Sequence, residues 1–531
     1  MSTIIKMARL KKRIEQSKGL VIYGAGYLAK ILITEFAENG IFVNYCVVSH
    51  RDKDTNSFEK IPLYEFENCI CDMQKDNVIT LIAVTELYEK EIEKNLQNNQ
   101  IKNYLFVTEY VRTNDLLEYY SEKTEQEYLT EVAEWYVDKK RLALQDIEII
   151  KKQFEYIINK RKYYEDKIVF AVGNPSPRVV KMLDALHEKG YQVDILFYAK
   201  AWNYENFYNQ LVEKCANHFN CNTIEELMYY MILSHAKVIH LFSHINISDI
   251  AYILIKQKQI FPKLVFDQYD IANEMYITTY SSSNSFTCER YCLEHADGLC
   301  CRGYEQEYLI KEKQYKLCKN IIQFFDYCQS ETFFYEGRDK TEELSLCYAG
   351  GIATEREWPE APYACFLEFA KLCEKKQCHF HVYPSTWDEN RFMDYILLDK
   401  KSDYFHFHRP VPFEILKREL LKYDYGVHLM KQGYLEKDYS GYTTRNKTIY
   451  SVTNHFYDYL DAGLPIIAAT PVRFSQEFEK EGVLLNWTIE EYDFDELRRR
   501  REELKNKVVA VRKKWSIGRK IEELISFYNA L

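Results

Sequence analysis

From Tyr450 to Thr470 the chain runs YSVTNHFYDYLDAGLPIIAAT, a polar, aromatic-rich stretch that stops at Gly-Leu-Pro and turns apolar. Thr453 and Asn454 are favoured N-cap types, Phe456, Tyr457 and Leu460 form an apolar stripe, and Gly463 suits the left-handed position that ends a helix. Leu464-Pro465 then opens a strand, IIAA, at whose first residue Pro has no N–H to lose. The far end of that helix is where chemistry is expected, because unpaired backbone N–H groups and the helix dipole favour an anion there. One turn in, Asp458 is placed to meet the hydroxyls of a sugar attached to such an anion. Just upstream, GYTTRNKTIYS supplies Arg445 and Lys447, suited to balancing a diphosphate.

Outward from this helix, short β-branched runs alternate with amphipathic helical stretches almost throughout, the pattern of parallel α/β domains. Residues 1–110 open with GLVIYGAGYLAKILITEFAENGIFVNYCVV and continue through KIPLYEF, NVITLIAV and NYLFVTEY, reading as a Rossmann-like domain. Residues 111–163 are Glu/Lys/Tyr-rich and strand-free, a helical connector. A second α/β segment, 164–340, has strand candidates KIVFAV, QVDILF, AKVIHLF, KLVF and GLCC. A third, 341–510, has SLCYAGG, CHFHVY, DYFHF, YGVHLM and LPIIAAT, and 511–531 reads as a closing helix. Two consecutive open sheets imply two lobes with a cleft, and ligands lie outside the C-terminal ends of such strands.

The totals narrow the classes. The 531 residues exceed one hydrophobic core, so three or so domains are expected. A formal charge of -10 disfavours a nucleic-acid partner. The 15 cysteines are odd in number and include no Cys-x-x-Cys, so Cys288, Cys292, Cys300 and Cys301 read as reduced core residues. No run is long and apolar enough to span a membrane, and MSTIIKMARLKKRIEQ lacks a signal peptide's apolar core, so a cytoplasmic protein is expected. The basic RRRREELKNKVVAVRKKW reads as a solvated face, with peripheral contact to an anionic inner membrane face as the minor reading. Oligomeric state is not legible.

The Tyr450–Thr470 stretch resembles the donor-lobe signature of GT-B fold glycosyltransferases, the large group that includes glycogen synthase and many bacterial surface-polysaccharide enzymes. The family run Asn-Lys-x-x-Glu-Tyr-Leu-x-x-Gly-x-Pro-Val-Ile is matched by Asn454, His455, Asp458, Tyr459, Leu460, Gly463, Pro465, Ile466 and Ile467. In the same order, VGNPSPRVVKMLDALHEKGYQVDILF resembles the start of the family's N-terminal lobe, ERYCLEHADGLCC its late helix and strand, and CYAGGI the start of its donor lobe. Here His455 replaces the family's lysine, Asp458 its helix glutamate, Tyr450 its partner acid, and Gly350-Gly351 its Gly-Arg. The resemblance implies a nucleotide-diphosphate sugar as donor substrate, with no further cofactor. It places the diphosphate on the backbone near Thr453 and Asn454, the ribose on Asp458, and charge balance on Arg356, Arg445 or Lys447. The implied activity is sugar transfer to a glycan or lipid-linked acceptor in bacterial surface-polysaccharide synthesis.

Transfer needs a stabilised leaving group and, for inversion, a base beside the acceptor hydroxyl. The base is expected at strand ends of the N-terminal lobe, where KLVFDQYDIANE offers Asp267 and Asp270 and HLFSHINISD offers His240 and His244. Asp270 is the first choice and His244 the second. Gly173 and Asn174 form the acceptor-side loop, where glycine lets a sugar approach the backbone. No metal is called for: Asp52-Lys53-Asp54 and Asp493-Phe494-Asp495 read as solvated acids rather than a cation site. In VIYGAGYLA, Gly24, Gly26 and Ala29 make a Gly-x-Gly-x-x-Ala turn, but the acid expected at the next strand's end is missing beside Ser49-His50. This segment resembles the small nucleotide-binding domains that precede sugar-modifying enzymes, suited to binding a nucleotide or to assembly. Two other classes stand beside the transferase. A noncatalytic nucleotide-sugar sensor or scaffold is favoured by the missing family acid and lysine. An NAD-dependent sugar oxidoreductase or epimerase is weaker, because Tyr104 lacks a lysine four residues on and Tyr163 comes too late.

Overall fold

The computed structural model describes residues 10, 14, 17–38, 40–49, 56–84, 86–107, 123–173, 175–198, 205–221, 223–242, 248–269, 283–329, 343–352, 354, 365–428, 439–440, 443–444, 449–468, 473–486 and 493–531. They form two compact units, Met1–Thr124 and Glu125–Leu531. The first holds strands β1 (Gly19–Tyr23), β2 (Tyr45–Val48), β3 (Ser57–Phe58), β4 (Ile61–Glu65), β5 (Val78–Ile82) and β6 (Tyr104–Phe106). Their order is β3-β4-β2-β1-β5-β6, parallel apart from the β3–β4 hairpin. Apolar residues cover both faces, with Leu20, Ile22 and Leu81 on one and Val21, Tyr23 and Ile82 on the other. That doubly buried pattern is why these strands read as continuous apolar runs.

The second unit begins with helices Glu125–Lys140 and Ile147–Asn159, the stretch expected as a connector. The first packs against helix Ile224–Leu233, with Tyr136 stacked on Tyr229 at 5.2 Å, so both belong to this unit. Next comes an all-parallel sheet of β7 (Tyr164–Val172), β8 (Gln192–Phe197), β9 (Asn217–Asn220), β10 (Ala236–Phe242), β11 (Lys263–Gln268), β12 (Gly298–Cys301) and β13 (Ile321–Gln323). Its order is β13-β12-β11-β10-β7-β8-β9. The following sheet contains β14 (Leu344–Gly350), β15 (Cys378–Pro384), β16 (Phe405–Phe407) and β17 (Tyr425–His428). A small hairpin, β18 (Tyr439–Ser440) and β19 (Thr443–Thr444), precedes β20 (Ile466–Ala468) and β21 (Leu484–Asn486). The sheet order is β16-β15-β14-β17-β20-β21, again all parallel. Both sheets run outward in one direction and then the other, so each has a switch point, at β7/β10 and at β14/β17. Crevices at such points are where open α/β sheets take their ligands.

One apolar cluster joins the two lobes, running from Phe170 and Met182 through Tyr327, Phe456, Tyr457 and Phe474 to Trp515 and Tyr528. The C-terminal segment is two helices. Phe494–Lys514 packs Phe494, Leu497 and Leu504 on the β14–β21 sheet. At Ser516 a parallel bridge to Cys328 turns the chain, and Ile517–Ala530 returns to pack on helix Pro177–Glu188 of the other lobe. Asp493 is the N-cap of the first of these helices, accepting from the N–H groups of Asp495 and Glu496. Its basic run is internally paired, Arg498 with Asp495, Arg500 with Glu496 and Lys507 with Glu503. None of the 15 cysteines is paired, and Cys288, Cys292, Cys300 and Cys301 are buried. Among the described residues no helix is long and apolar enough to cross a membrane.

Candidate functional site at the Asn454 helix

Helix Asn454–Asp461 ends as its sequence requires, with Gly463 at φ 71° and its N–H bonded to the Leu460 carbonyl. Its N-cap is Thr453, extended at φ -98° and ψ 133°, and the threonine side chain makes no capping bond. The N–H groups of Asn454 and His455 meet no acceptor among the described residues, so the helix presents free donors where its dipole is positive.

Three strand-end features of the donor lobe close on this tip. Gly350 ends β14 at φ 155°, and a Cβ there would lie 2.6 Å from His455 Nε2, so only glycine admits the imidazole. Gly351 beside it is open, its carbonyl held by the Tyr348 hydroxyl at 2.7 Å. His428 ends β17, with its ring 6.0 Å from that of His455. His455 Nδ1 is buried and has no hydrogen-bond partner among the described residues. Burial, then the positive charge of Arg302, pushes the His455 pKa down to about 4. Burial, then His455, pushes His428 down to about 3. Both rings are therefore neutral near pH 7, so His455 brings no charge to the helix tip.

The cation comes from the opposite lobe. Arg302, immediately after β12, donates through Nη2 to Asn454 Oδ1 and lies over the Tyr269 ring at 4.0 Å. The Asn454 amide also donates to the Tyr269 hydroxyl at 3.3 Å. The helix tip thus meets the ends of β11 and β12, which places it between the two lobes. Arg302 is held from behind by Asp326, Nε to Oδ2 2.7 Å. Asp326 in turn binds Arg178 at 3.3 Å, and Arg178 binds Asp267 at 2.9 Å. All four side chains are buried, and their two positive and two negative charges balance. His240 donates through Nε2 to Asp267 at 3.0 Å and accepts from the Tyr528 hydroxyl at Nδ1 at 2.5 Å. Burial lowers the His240 pKa against the pull of Asp267, so the ring is neutral and fixed in that tautomer.

Asp267 lies inside β11 rather than after it, and Arg178 and His240 outweigh burial to hold its pKa well below the ordinary range. Paired inside the strand, Asp267 is a counter-ion to Arg178 and not the strand-end base expected from sequence beside Asp270. Asp458 faces Lys181 of helix Pro177–Glu188 across the lobe boundary, at 3.9 Å. Lys181 also lies 3.9 Å from Asp461 and donates to the Tyr327 carbonyl at 2.9 Å. Burial pulls the Lys181 pKa down, but Asp458 and Asp461 outweigh it and hold it above its usual value. Burial, reinforced by Asp461 and Asp326 and opposed by Lys181, pushes Asp458 up to about 6. The carboxylate read from sequence as a sugar ligand is thus also a clamp between lobes.

Gly173 continues the β7 ladder, its N–H bonded to Phe242 at 3.0 Å. Asp270, His244, Asn174, Arg356, Arg445 and Lys447 lie outside the described residues. In the first unit, Gly24 has φ 127° and a Cβ there would sit 2.6 Å from the Ala83 carbonyl oxygen, whereas Gly26 is open and Ala29 is buried. Ser49, where the dinucleotide acid would stand, bonds the Tyr23 hydroxyl at 3.0 Å. Arg302 and Lys181 were not singled out from sequence; Arg302 carried a usable signal, an Arg-Gly directly after the strand GLCC.

No known family profile and no curated protein matches the chain. Solved structures similar to it include a mutant O-GlcNAc transferase from Thermobaculum terrenum, at 12% identity over 76% of this chain and 78% of that one, TM-score 0.43. TarM from S. aureus, in a complex with UDP, aligns at 10% identity over 68% of this chain and 100% of that one, TM-score 0.46. A putative UDP-N-acetylglucosamine 2-epimerase from Listeria monocytogenes aligns at 10% identity over 68% and 95%, TM-score 0.42. Likenesses this distant carry nothing about substrate or reaction. The second unit's own topology, two Rossmann-like lobes joined by a returning C-terminal helix and meeting at a helix N-terminus, is the architecture of the GT-B fold.

Proposed function

We propose that the second unit is a glycosyltransferase that takes a nucleotide-diphosphate sugar and passes the sugar to a glycan or lipid-linked acceptor of a bacterial surface polysaccharide. The observation that carries this reading is the uncapped N-terminus of the Asn454 helix, set at the β14/β17 switch point and facing Arg302 of the other lobe. In this reading the free N–H groups and Arg302 receive the diphosphate, and neutral His455 adds a donor without adding charge. Asp458 serves the donor sugar or ribose while also pairing with Lys181. Arg356, Arg445 and Lys447 are further candidates for the phosphates. The acceptor oxygen bonds the anomeric carbon, the bond to the diphosphate breaks with its electron pair leaving on the diphosphate, and the hydroxyl proton passes to a base, with Asp270 proposed first and His244 second. Closure of the lobes excludes water that would otherwise hydrolyse the donor. The first unit binds a nucleotide or serves assembly, and the protein works in the cytoplasm, with peripheral contact to the inner membrane face as the minor reading.

The test is calorimetry and a transfer assay with UDP-, GDP-, CDP- and dTDP-sugars on wild type and Arg302→Lys. One nucleotide class is expected to bind, with affinity reduced by about tenfold or more in Arg302→Lys, since a charge-assisted bond is worth about 1.5–3 kcal/mol. Binding without turnover across acceptors would favour the sensor reading, for which the neutral His455 speaks. No binding of any class would end both.

A further inference from the structure

The face of β15 and β16 carries a feature the transfer reaction does not use. Because side chains alternate along a strand, CHFHVYP turns His379 and His381 to the face opposite Phe380 and Val382, and β16 does the same with His406. His381 stands directly opposite His406 in the parallel ladder, with rings 4.3 Å apart. His379 Nδ1 lies 2.9 Å from His406 Nε2. One ligating nitrogen from each of His379, His381 and His406 falls within 4.8 Å of the others, and all three residues are half-buried, open to an ion from solvent. We propose that His379, His381 and His406 form a binding site for a borderline divalent transition metal, with Zn²⁺ as the reference ion, that ties edge strand β16 to β15.

Two further observations favour a metal over a plain imidazole ladder. His379 Nε2 is engaged by Glu343 Oε2 at 2.8 Å, the carboxylate–histidine arrangement that fixes a ligating tautomer and raises its basicity, leaving Nδ1 aimed at the cluster. His408 Nε2 lies 2.9 Å from His381 Nδ1, a contact that orients the His381 ring beside the cluster. Three imidazoles with an open fourth position suit Zn²⁺, whose ligand nitrogens in a tetrahedral site lie about 3.3 Å apart, so a bound ion would draw together nitrogens that now lie within 4.8 Å of one another. The other metal-like group among the described residues, His240, Asp267 and Cys300, is occupied by the Arg178 guanidinium and offers a cation no net charge.

The experiment is equilibrium dialysis of the tag-free full chain against Zn²⁺, and visible absorption of bound Co²⁺. Wild type, His379→Gln, His406→Gln, Glu343→Gln and the exposed control His187→Gln are compared, with circular dichroism confirming folding. Expected are one equivalent per chain with a nitrogen-ligated Co²⁺ spectrum, and an affinity loss of about tenfold to hundredfold for Glu343→Gln and more for the two ligand variants. The control should bind as wild type does. Less than one equivalent, a thiolate spectrum, or His406→Gln binding as wild type does would overturn the site.

Discussion

Asp458→Asn tests the lobe clamp through its pH dependence. Asp458 has a folded pKa of about 6 against an ordinary 3.8, with burial as the main cause. A raised carboxyl favours the folded state where it is protonated, so its contribution is fully present below pH 3.8 and lost as pH rises through 6. Between pH 7.5 and 5.0 the wild type therefore gains about 1.4 kcal/mol from this group, roughly half the full effect of about 3 kcal/mol. Asparagine does not titrate, so the difference in unfolding free energy between variant and wild type should shift by that amount between the two pH values, the variant faring relatively better at pH 7.5. Urea unfolding followed by tryptophan fluorescence isolates the second unit, because all 6 tryptophans lie at or beyond Trp135. A difference that is the same at both pH values, or that moves the other way, would refute the buried and charge-loaded environment assigned to Asp458.

Gly350→Ala should lower the thermal midpoint of the second unit, at a cost of about 1–3 kcal/mol, because a Cβ would press on the His455 ring. Tyr528→Phe should cost about 1–3 kcal/mol by leaving His240 Nδ1 buried without its donor, read by the same urea titration. Arg178→Met should cost about 3–5 kcal/mol or prevent folding, since it leaves buried Asp267 with only the neutral His240 and the network one positive charge short, although Arg302 still pairs with Asp326. Asp267→Asn should also destabilise, and its effect should not add to that of Arg178→Met, as members of one network do not.

The helix over residues 454–461, its glycine stop and the strand that follows were legible because each rests on a few adjacent residues: a cap, an apolar stripe, a left-handed turn. The same holds for the central strands of all three sheets, whose apolar runs are long. The strands not foreseen, β3, β9, β13, β21 and the β18–β19 hairpin, all stand at sheet edges and are two to four residues long. An edge strand draws its stability from one neighbour, so its own sequence need not advertise it. The candidate site divides in the same way. Thr453, His455, Gly350 and Asp458 were legible by position, whereas the partners that define their chemistry were not. Arg302 lies 152 residues from Asn454 and reaches it only because both lobes present the C-terminal ends of their strands to one boundary. Burial at the lobe boundary raises the pKa of Asp458 against the pull of Lys181, and burial and Arg302 together hold His455 neutral. The sequence alone determined the central strands and the helix over residues 454–461 with its glycine stop, because backbone propensity and burial pattern act over short windows. Only the tertiary structure decided which charges face that helix and in which protonation state, because desolvation and Coulomb energy depend on distances that the closed chain alone sets.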